Sequence, residues 1–274
     1  MPDVTTVAHR PCLTTRTEPA ALAPQAAAAL RDRVRSRGVN PLVYWLARAI
    51  LQPFFHLYFR VARKGREHIP ASGPVILAAN HRSFLDPFVI GILVRRPVYY
   101  MAKKELFYKR WQGWLLNALG AFPVDRGRGD EDAIATAREI LARGDCVVIF
   151  PEGTRVRSGP LGPPRRGVGR LALQTGAPVV PVAVIGTDGV RRGWRIRPRK
   201  IRIRCGRPLT FPRVEQPSPR LAGAVTRRVW PCVELQWEWL GGTPRRTTAP
   251  APAPTTATVV PPGPPPAQPI APAA

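Results

Sequence analysis

His81 and Asp86 stand with four residues between them in Asn80-His81-Arg82-Ser83-Phe84-Leu85-Asp86, directly after the apolar run Val75-Ile76-Leu77-Ala78-Ala79. An imidazole titrates near neutrality, and a carboxylate within reach can hold its ring. The pair therefore has the chemistry needed to take a proton from an alcohol. The other three histidines are His9 near the start, His56 in an aromatic stretch and His68 in a connecting loop. In α/β proteins, reactive groups gather at the C-terminal ends of buried strands, which is where His81 falls. The same residues also read as plain architecture. Asp86-Pro87 begins a helix well, with Asp as the N-cap and Pro first in the helix, and His81 would then only close the strand-to-loop turn. Five positions on a helix turn through about 500°, so the two side chains share no helical face. They meet only if the intervening segment is a loop folding back to the helix start. Such a loop satisfies both readings, and the spacing alone does not choose between them.

Further polar residues follow other apolar runs. Gly120-Ala121-Phe122-Pro123-Val124-Asp125-Arg126 leaves an arginine at a strand end. Phe150-Pro151-Glu152-Gly153-Thr154-Arg155 runs from a strand into a carboxylate, a glycine, a hydroxyl and a second arginine. Backbone N–H groups around Gly153 and Thr154, joined by the guanidinium groups of Arg126 and Arg155, are suited to cradle a phosphate. Arginine fits this task because its planar fork grips two oxygens. Glu152 is awkward beside an anion; it either orients an arginine or accepts a bond from a substrate hydroxyl. Val180-Pro181-Val182 is the least specific piece, a buried strand start or a pocket wall.

Alternating strands and helices must position these residues. Strands are expected at 74–79, 98–101, 121–124, 146–150 and 179–185. A further strand with one wet face is expected at 196–205, where Arg and Lys alternate with apolar residues. Helices are expected at 87–93, 105–119, 130–142 and 166–174, and at 219–240 with Pro231 as an interruption. This order predicts an α/β fold with a mixed, mainly parallel sheet flanked by helices. Residues 41–63 are dominated by apolar and aromatic side chains, among which Arg48, Gln52, His56 and Arg60 recur every fourth position. That is one narrow polar stripe on a helix, which Pro53 is expected to kink or split. Such a helix can pack in a core, lie in a membrane interface or span a bilayer. Spanning needs about 20 apolar residues, and an arginine mid-helix costs roughly 2.5–3.5 kcal/mol. Aromatics beside arginines favour the interface.

The 274 residues carry a net charge of +25, mostly from arginine. Such a surface seeks polyanions, either nucleic acid or anionic headgroups. Aromatics do not interleave with the cations of 196–205, so no specific nucleic acid is expected. The four cysteines, Cys12, Cys146, Cys205 and Cys232, are isolated. They predict reduced thiols facing a cytosol and no metal site. Residues 1–30 show no basic-then-apolar order, so no leader peptide is expected. The expected organisation is a basic, flexible arm (1–38), a membrane-associating amphipathic segment (39–64), a catalytic domain (65–213), a C-terminal helical segment (214–240) and a disordered Pro/Ala-rich tail (241–274).

Taken together, four segments resemble the glycerophospholipid acyltransferase family, the one containing 1-acylglycerol-3-phosphate acyltransferase. Its NH-x4-D motif is matched by Asn80, His81 and Asp86; its G-x-F-x3-R motif by Gly120, Phe122 and Arg126. Its FPEGTR motif stands whole from Phe150 to Arg155, and its V-P-V element is Val180-Pro181-Val182. The resemblance runs from about residue 61 to 209 and leaves out the Pro- and Arg-rich loop 158–166, the arm and the tail. It implies an O-acyltransferase of phospholipid biosynthesis. Such an enzyme moves a fatty acyl group from acyl-CoA or acyl carrier protein to the free hydroxyl of lysophosphatidate. Another lysophospholipid, glycerol-3-phosphate or a glycolipid is the alternative acceptor.

On that reading His81 is the base and Asp86 its support. Arg126, Glu152, Gly153, Thr154 and Arg155 bind substrate, and Asn80, Ser83, Gly120, Phe122 and Pro181 shape the pocket. The attacking group belongs to the substrate, so neither cofactor nor metal is expected. Partners are the lysophospholipid acceptor, the acyl thioester donor and an anionic membrane surface. The location is the cytoplasmic face of a membrane, peripheral or monotopic. A lipid hydrolase in which His81 activates water is the rival; the phosphate cradle speaks against it.

Overall fold

A computed structural model describes residues 22–125, 131–192 and 195–244. Its frame is a seven-stranded sheet built from β1 (Ala62–Lys64), β2 (Val75–Ala79), β3 (Val98–Lys103), β4 (Ala121–Val124), β5 (Cys146–Ile149), β6 (Val179–Ile185) and β9 (Arg202–Cys205). The spatial order is β1-β9-β6-β2-β5-β3-β4. All pairings are parallel except β6 with β9. A parallel strand covered on both faces must be apolar throughout, and all five residues of β2 are buried. Ile76 and Ala78 enter one core layer; Val75, Leu77 and Ala79 enter the other.

Helices fill both faces. Residues of α5 (Glu131–Ala142), α6 (Gly167–Thr175) and α7 (Pro219–Trp239) join the layer of Ile76, while α3 (Asp86–Leu93) joins that of Leu77. The connection after β2 therefore leaves over one face through α3, and the connection after β5 leaves over the other through α6. Adjacent parallel strands whose connections depart to opposite faces open a crevice at their C-terminal ends, where α/β proteins bind ligands. Here the crevice lies between the segment starting at Asn80 and the segment starting at Phe150. The remaining helices are α1 (Pro24–Arg37), α2 (Pro41–Tyr58) and α4 (Arg110–Ala118).

Several expectations need correction. Residues 24–37 are not a flexible arm. They form α1, which buries Val34 and binds α5 through Arg31–Asp132 at 2.9 Å and Arg35–Thr136. Neither proline breaks its helix: α2 runs through Pro53 and α7 through Pro231. The carbonyls deprived of an amide partner belong to the exposed residues Ala49 and Arg227, where water can satisfy them. The strand expected at 196–205 is two pieces. Arg195–Ile196 (β8) pairs with Arg191–Arg192 (β7) in a separate hairpin, and β9 begins only at Arg202. Pro198 has no N–H to give a ladder, and the chain leaves the sheet there. The expected helix 105–119 begins as a 3₁₀ turn, Lys104–Phe107, then breaks at the extended Lys109 before α4. Gly113 lets that turn fold back closely, since a Cβ there would stand 3.0 Å from the Phe107 carbonyl oxygen.

Residues 1–21 and 245–274 lie outside the described residues, and with them most of the arm and the Pro/Ala-rich tail. The segments 39–64 and 214–240 belong to the same compact unit as the sheet.

The orientation of α2 is informative. Its polar stripe faces the protein: Arg48 donates to the carbonyls of Gly91 (2.6 Å) and Ile92 (3.3 Å) at the C-terminus of α3, and His56 meets Arg63. Its outer face is Leu42, Trp45, Leu46, Ile50, Phe54 and Leu57, and Leu42 and Leu57 are 77% and 81% exposed. The segment therefore has two sides: Tyr44 and Phe55 are buried, with Phe55 in the core layer of Leu77, while the apolar residues of its outer face point outward. Among the described residues no helix is long and apolar enough to cross a membrane.

Candidate active site

The loop after β2 folds back as the spacing requires. His81 Nδ1 lies 2.9 Å from Asp86 Oδ2. Asp86 is the first residue of α3, yet its carboxylate does not cap that helix. It turns toward the loop and accepts the main-chain N–H groups of Arg82 and Ser83, each at 2.7 Å, on the same oxygen. The other oxygen accepts the Thr187 hydroxyl at 2.6 Å. Four donors thus converge on one fully buried carboxylate. Because an ionised carboxylate only accepts, the hydrogen on the neutral imidazole belongs on Nδ1. Nε2 then carries the lone pair, and it has no hydrogen-bond partner among the described residues. The imidazole stacks on Phe150 with ring centroids 4.2 Å apart.

Neighbouring residues lock the loops to the sheet. Asn80 bridges to β6 through both halves of its amide, donating to Val184 O (3.0 Å) and accepting from Val184 N (2.8 Å). Arg82 crosses to the loop after β5, donating to Val156 O at 2.8 Å and to Gly159 O, with its guanidinium 4.6 Å from the Trp237 ring. Val156 N in turn donates to His81 O at 2.9 Å. Arg82 and Thr187 were missed in the sequence. Thr187 is about a hundred positions from Asp86, and no local signal marks it.

Two cavities flank the end of β5. One, of about 350 Å³, is lined by His81 with Arg48, Lys103 and Arg155 and by apolar residues that include Leu51, Phe84, Ile92 and Leu116. The other, of about 770 Å³, lies toward α5, α6 and α7. Phe150 and Met101 line both. Lys103, at the tip of β3, is a further cation that sequence reasoning passed over; two adjacent lysines closing an apolar strand were the available sign.

The expected phosphate cradle is divided. Arg155 joins His81 in the smaller cavity, Gly153 borders the larger one, and Arg126 lies outside the described residues. Thr154 is exposed and borders neither. Glu152 is 3% exposed, borders neither cavity, and has Arg82 as the charge that most opposes its protonation. This favours the orienting reading over the hydroxyl one. Ser83 supports the loop, its hydroxyl taking Leu85 N at 3.3 Å. Phe122 and Pro181 are buried within the sheet, and Gly120 holds φ 91° at the start of β4. None of these three borders either cavity. Cys146 and Cys205 are buried thiols pushed up to about 12 by desolvation, in keeping with structural roles. Among the described residues no group of three acidic, histidine or cysteine side chains is placed to hold a metal ion.

This fold and this arrangement of motifs define an acyltransferase. The family model described as Acyltransferase matches residues 60–185. The chain is 34% identical over 145 residues to the 1-acyl-sn-glycerol-3-phosphate acyltransferase of Bacillus subtilis, covering 53% of this chain and 71% of that protein. It is 30% identical over 188 residues to the Pseudomonas aeruginosa protein of the same name, covering 67% and 69%. A chloroplastic relative from Brassica napus is 30% identical but is matched over only 46% of its length. The crystal structure of the 1-acyl-sn-glycerophosphate acyltransferase from Thermotoga maritima shares the fold, with a TM-score of 0.53 at 23% identity, covering 77% of this chain and 95% of that one. The chain belongs to the acyltransferase family.

Burial raises the Glu152 carboxyl from 4.5 to about 7. A folded-state pKa above the unfolded value favours folding below the lower value, and that contribution is lost as pH rises through the upper one. Glu152→Gln should therefore gain stability relative to the native chain between pH 5 and 8, by on the order of 1–3 kcal/mol at pH 8. Thermal unfolding across that range checks this; a constant difference would contradict it.

Proposed function

We propose that this chain transfers a fatty acyl group from an acyl thioester, acyl-CoA or acyl carrier protein, to the free hydroxyl of 1-acylglycerol-3-phosphate, forming phosphatidate. One observation carries the reading. A histidine held by a carboxylate that accepts four hydrogen bonds lines a largely apolar cavity together with Arg48, Lys103 and Arg155. The names of the Bacillus and Pseudomonas relatives support the choice of acceptor.

An alcohol is a weak nucleophile at neutral pH. His81 Nε2 takes its proton as the oxygen attacks the thioester carbonyl carbon. Asp86 keeps the ring oriented and stabilises the imidazolium that forms. Collapse of the tetrahedral intermediate breaks the C–S bond, and the imidazolium proton passes to the departing thiolate. The products are an ester and a free thiol, with the histidine restored. The chemistry requires no enzyme nucleophile and no metal, because the attacking oxygen comes from the substrate.

Arg155 and Lys103 at the cavity mouth hold the acceptor phosphate and so place its hydroxyl beside His81. Leu51, Ile92 and Leu116 give the acyl chain a dry channel. The outward apolar stripe of α2, with exposed Trp111 and Trp114 on α4, seats the protein in a membrane interface. The charge of +25 draws it to anionic, cytoplasm-facing lipid as a peripheral or monotopic protein.

The test is acyl transfer from labelled acyl-CoA or acyl carrier protein over a panel of lysophospholipids and glycerol-3-phosphate. Lysophosphatidate should be the preferred acceptor. His81→Ala should lower turnover by roughly 10²–10⁴-fold; normal turnover would end the mechanism. Arg155→Ala should raise the acceptor KM roughly tenfold with kcat nearly unchanged, since it removes binding shared by ground and transition states. Acceptor kinetics unaltered in that variant would remove Arg155 from the phosphate site, and thioester cleavage independent of acceptor would favour a hydrolase.

A further inference from the structure

The larger cavity has no part in the chemistry above, yet it is built for a ligand. It opens at the C-terminal ends of β3, β4 and β5, on the sheet face opposite the His81 cavity. Arg165, Arg166 and Arg170 stand on its rim. Arg170 is bound by both oxygens of Glu131, each at 2.5 Å. The side chains of Arg165 and Arg166 make no hydrogen bond or ion pair among the described residues, and both are exposed. Arg165 lies directly over Gly153: a Cβ there would come within 2.7 Å of its Nε. The wall also carries Asp125, paired with Lys104 at 2.6 Å, and the exposed Glu215.

Two features beyond the arginines point to a bound molecule. Gly167 and Val168, in the first turn of α6, line this cavity; that turn holds no acidic residue, and of its amides Gly169 N–H is taken by the Thr226 hydroxyl at 3.2 Å while those of Gly167 and Val168 are left for an anion. Gln174 also borders the cavity, as well as a smaller one lined by Pro74, Ala135 and Arg138; it is 92% buried, and its amide oxygen has no partner. A buried polar atom without a partner costs stability unless a ligand or water satisfies it. Anion donors on the rim and an amide acceptor in the wall fit a phosphorylated molecule that also offers N–H groups.

We propose that this cavity binds the phosphorylated nucleotide end of the acyl donor, a thioester of the coenzyme A class. The inference rests on the acyl-transfer reading and deepens it. Phe150 and Met101 form the wall shared by the two cavities, and the His81 ring stacks on Phe150. A thioester lying at that junction sends its acyl chain into the apolar cavity and its thiol arm toward the arginine-rimmed one. The acceptor phosphate is already provided for by Arg155 and Lys103 on the other side. A concave site of about 770 Å³ suits a nucleotide rather than the convex surface of a carrier protein. Arg165 and Arg166 come from the Pro- and Arg-rich loop 158–166, which lies outside the recognised motifs.

The test compares the full chain with the double variant Arg165→Ala/Arg166→Ala, using acyl-CoA, the acyl thioester of dephospho-CoA and acyl-pantetheine as donors. Both arginines are exposed, and matching thermal unfolding will verify that the variant folds. The variant should raise the KM for acyl-CoA roughly tenfold or more. The KM for acyl-pantetheine and the KM for lysophosphatidate should stay as they were. Adenosine 3′,5′-bisphosphate, titrated calorimetrically in the absence of acceptor, should bind the native chain and not the variant. A raised acceptor KM in place of a raised donor KM would overturn the proposal, as would an unchanged acyl-CoA KM or native turnover with acyl carrier protein alone. Binding of the bisphosphate without any acyl transfer would instead sink the proposed function while leaving the nucleotide site standing.

Discussion

The Asp86 carboxylate is the constraint on which the site depends. A fully buried carboxylate is tolerable only when hydrogen bonds replace the water it has lost. Here two main-chain amides, a hydroxyl and an imidazole do so. The main-chain donors shape the loop 80–86, the hydroxyl ties that loop to the segment after β6, and the imidazole is left with one orientation. Fold and reactivity therefore share one set of bonds. Removing any donor loosens the loop as well as the ring.

The sheet topology explains why this loop meets the rest of the site. β2 and β5 are neighbours whose following helices leave over opposite faces. Their C-terminal ends consequently bound the crevice in which His81 stacks on Phe150. The same divergence makes two chambers, one lined by α2, α3 and α4 residues and one by α5, α6 and α7 residues. His81 lines the first of these, and Phe150, on which its ring stacks, lines both. α2 serves the apolar side twice over. Its polar stripe binds the C-terminal carbonyls of α3, whose partial negative charge favours cations, and its apolar stripe is thereby left facing outward.

Much of this was legible in the sequence because the signals were local. The apolar runs at 75–79, 146–149 and 179–185 are strands, and the His81–Asp86 spacing could close only as a loop. What escaped was non-local or depended on context. Pro53 and Pro231 are breakers by local chemistry, yet their helices continue because the orphaned carbonyls face solvent. The 196–205 alternation was real for Ile201, Ile203 and Cys205, which are buried, but Pro198 ends the ladder before them. Glu152 sits inside a motif whose neighbours Gly153 and Arg155 border the cavities, and only the fold shows it buried away from both. Thr187 and Lys103 reach the site from the segment after β6 and from β3, and no spacing rule links them to His81. The grouping of Arg155 with His81, and of Gly153 with Arg165, required the path of the loop after β5.

The most direct test reads the imidazole itself. Nitrogen-15 NMR of ring-labelled protein at neutral pH, with His81 assigned by substitution, reports which nitrogen carries the hydrogen. The carboxylate geometry predicts the Nδ1–H tautomer in the native chain and its loss in Asp86→Ala. An Nε2–H tautomer in the native chain, or a spectrum indifferent to the Asp86 substitution, would contradict the account.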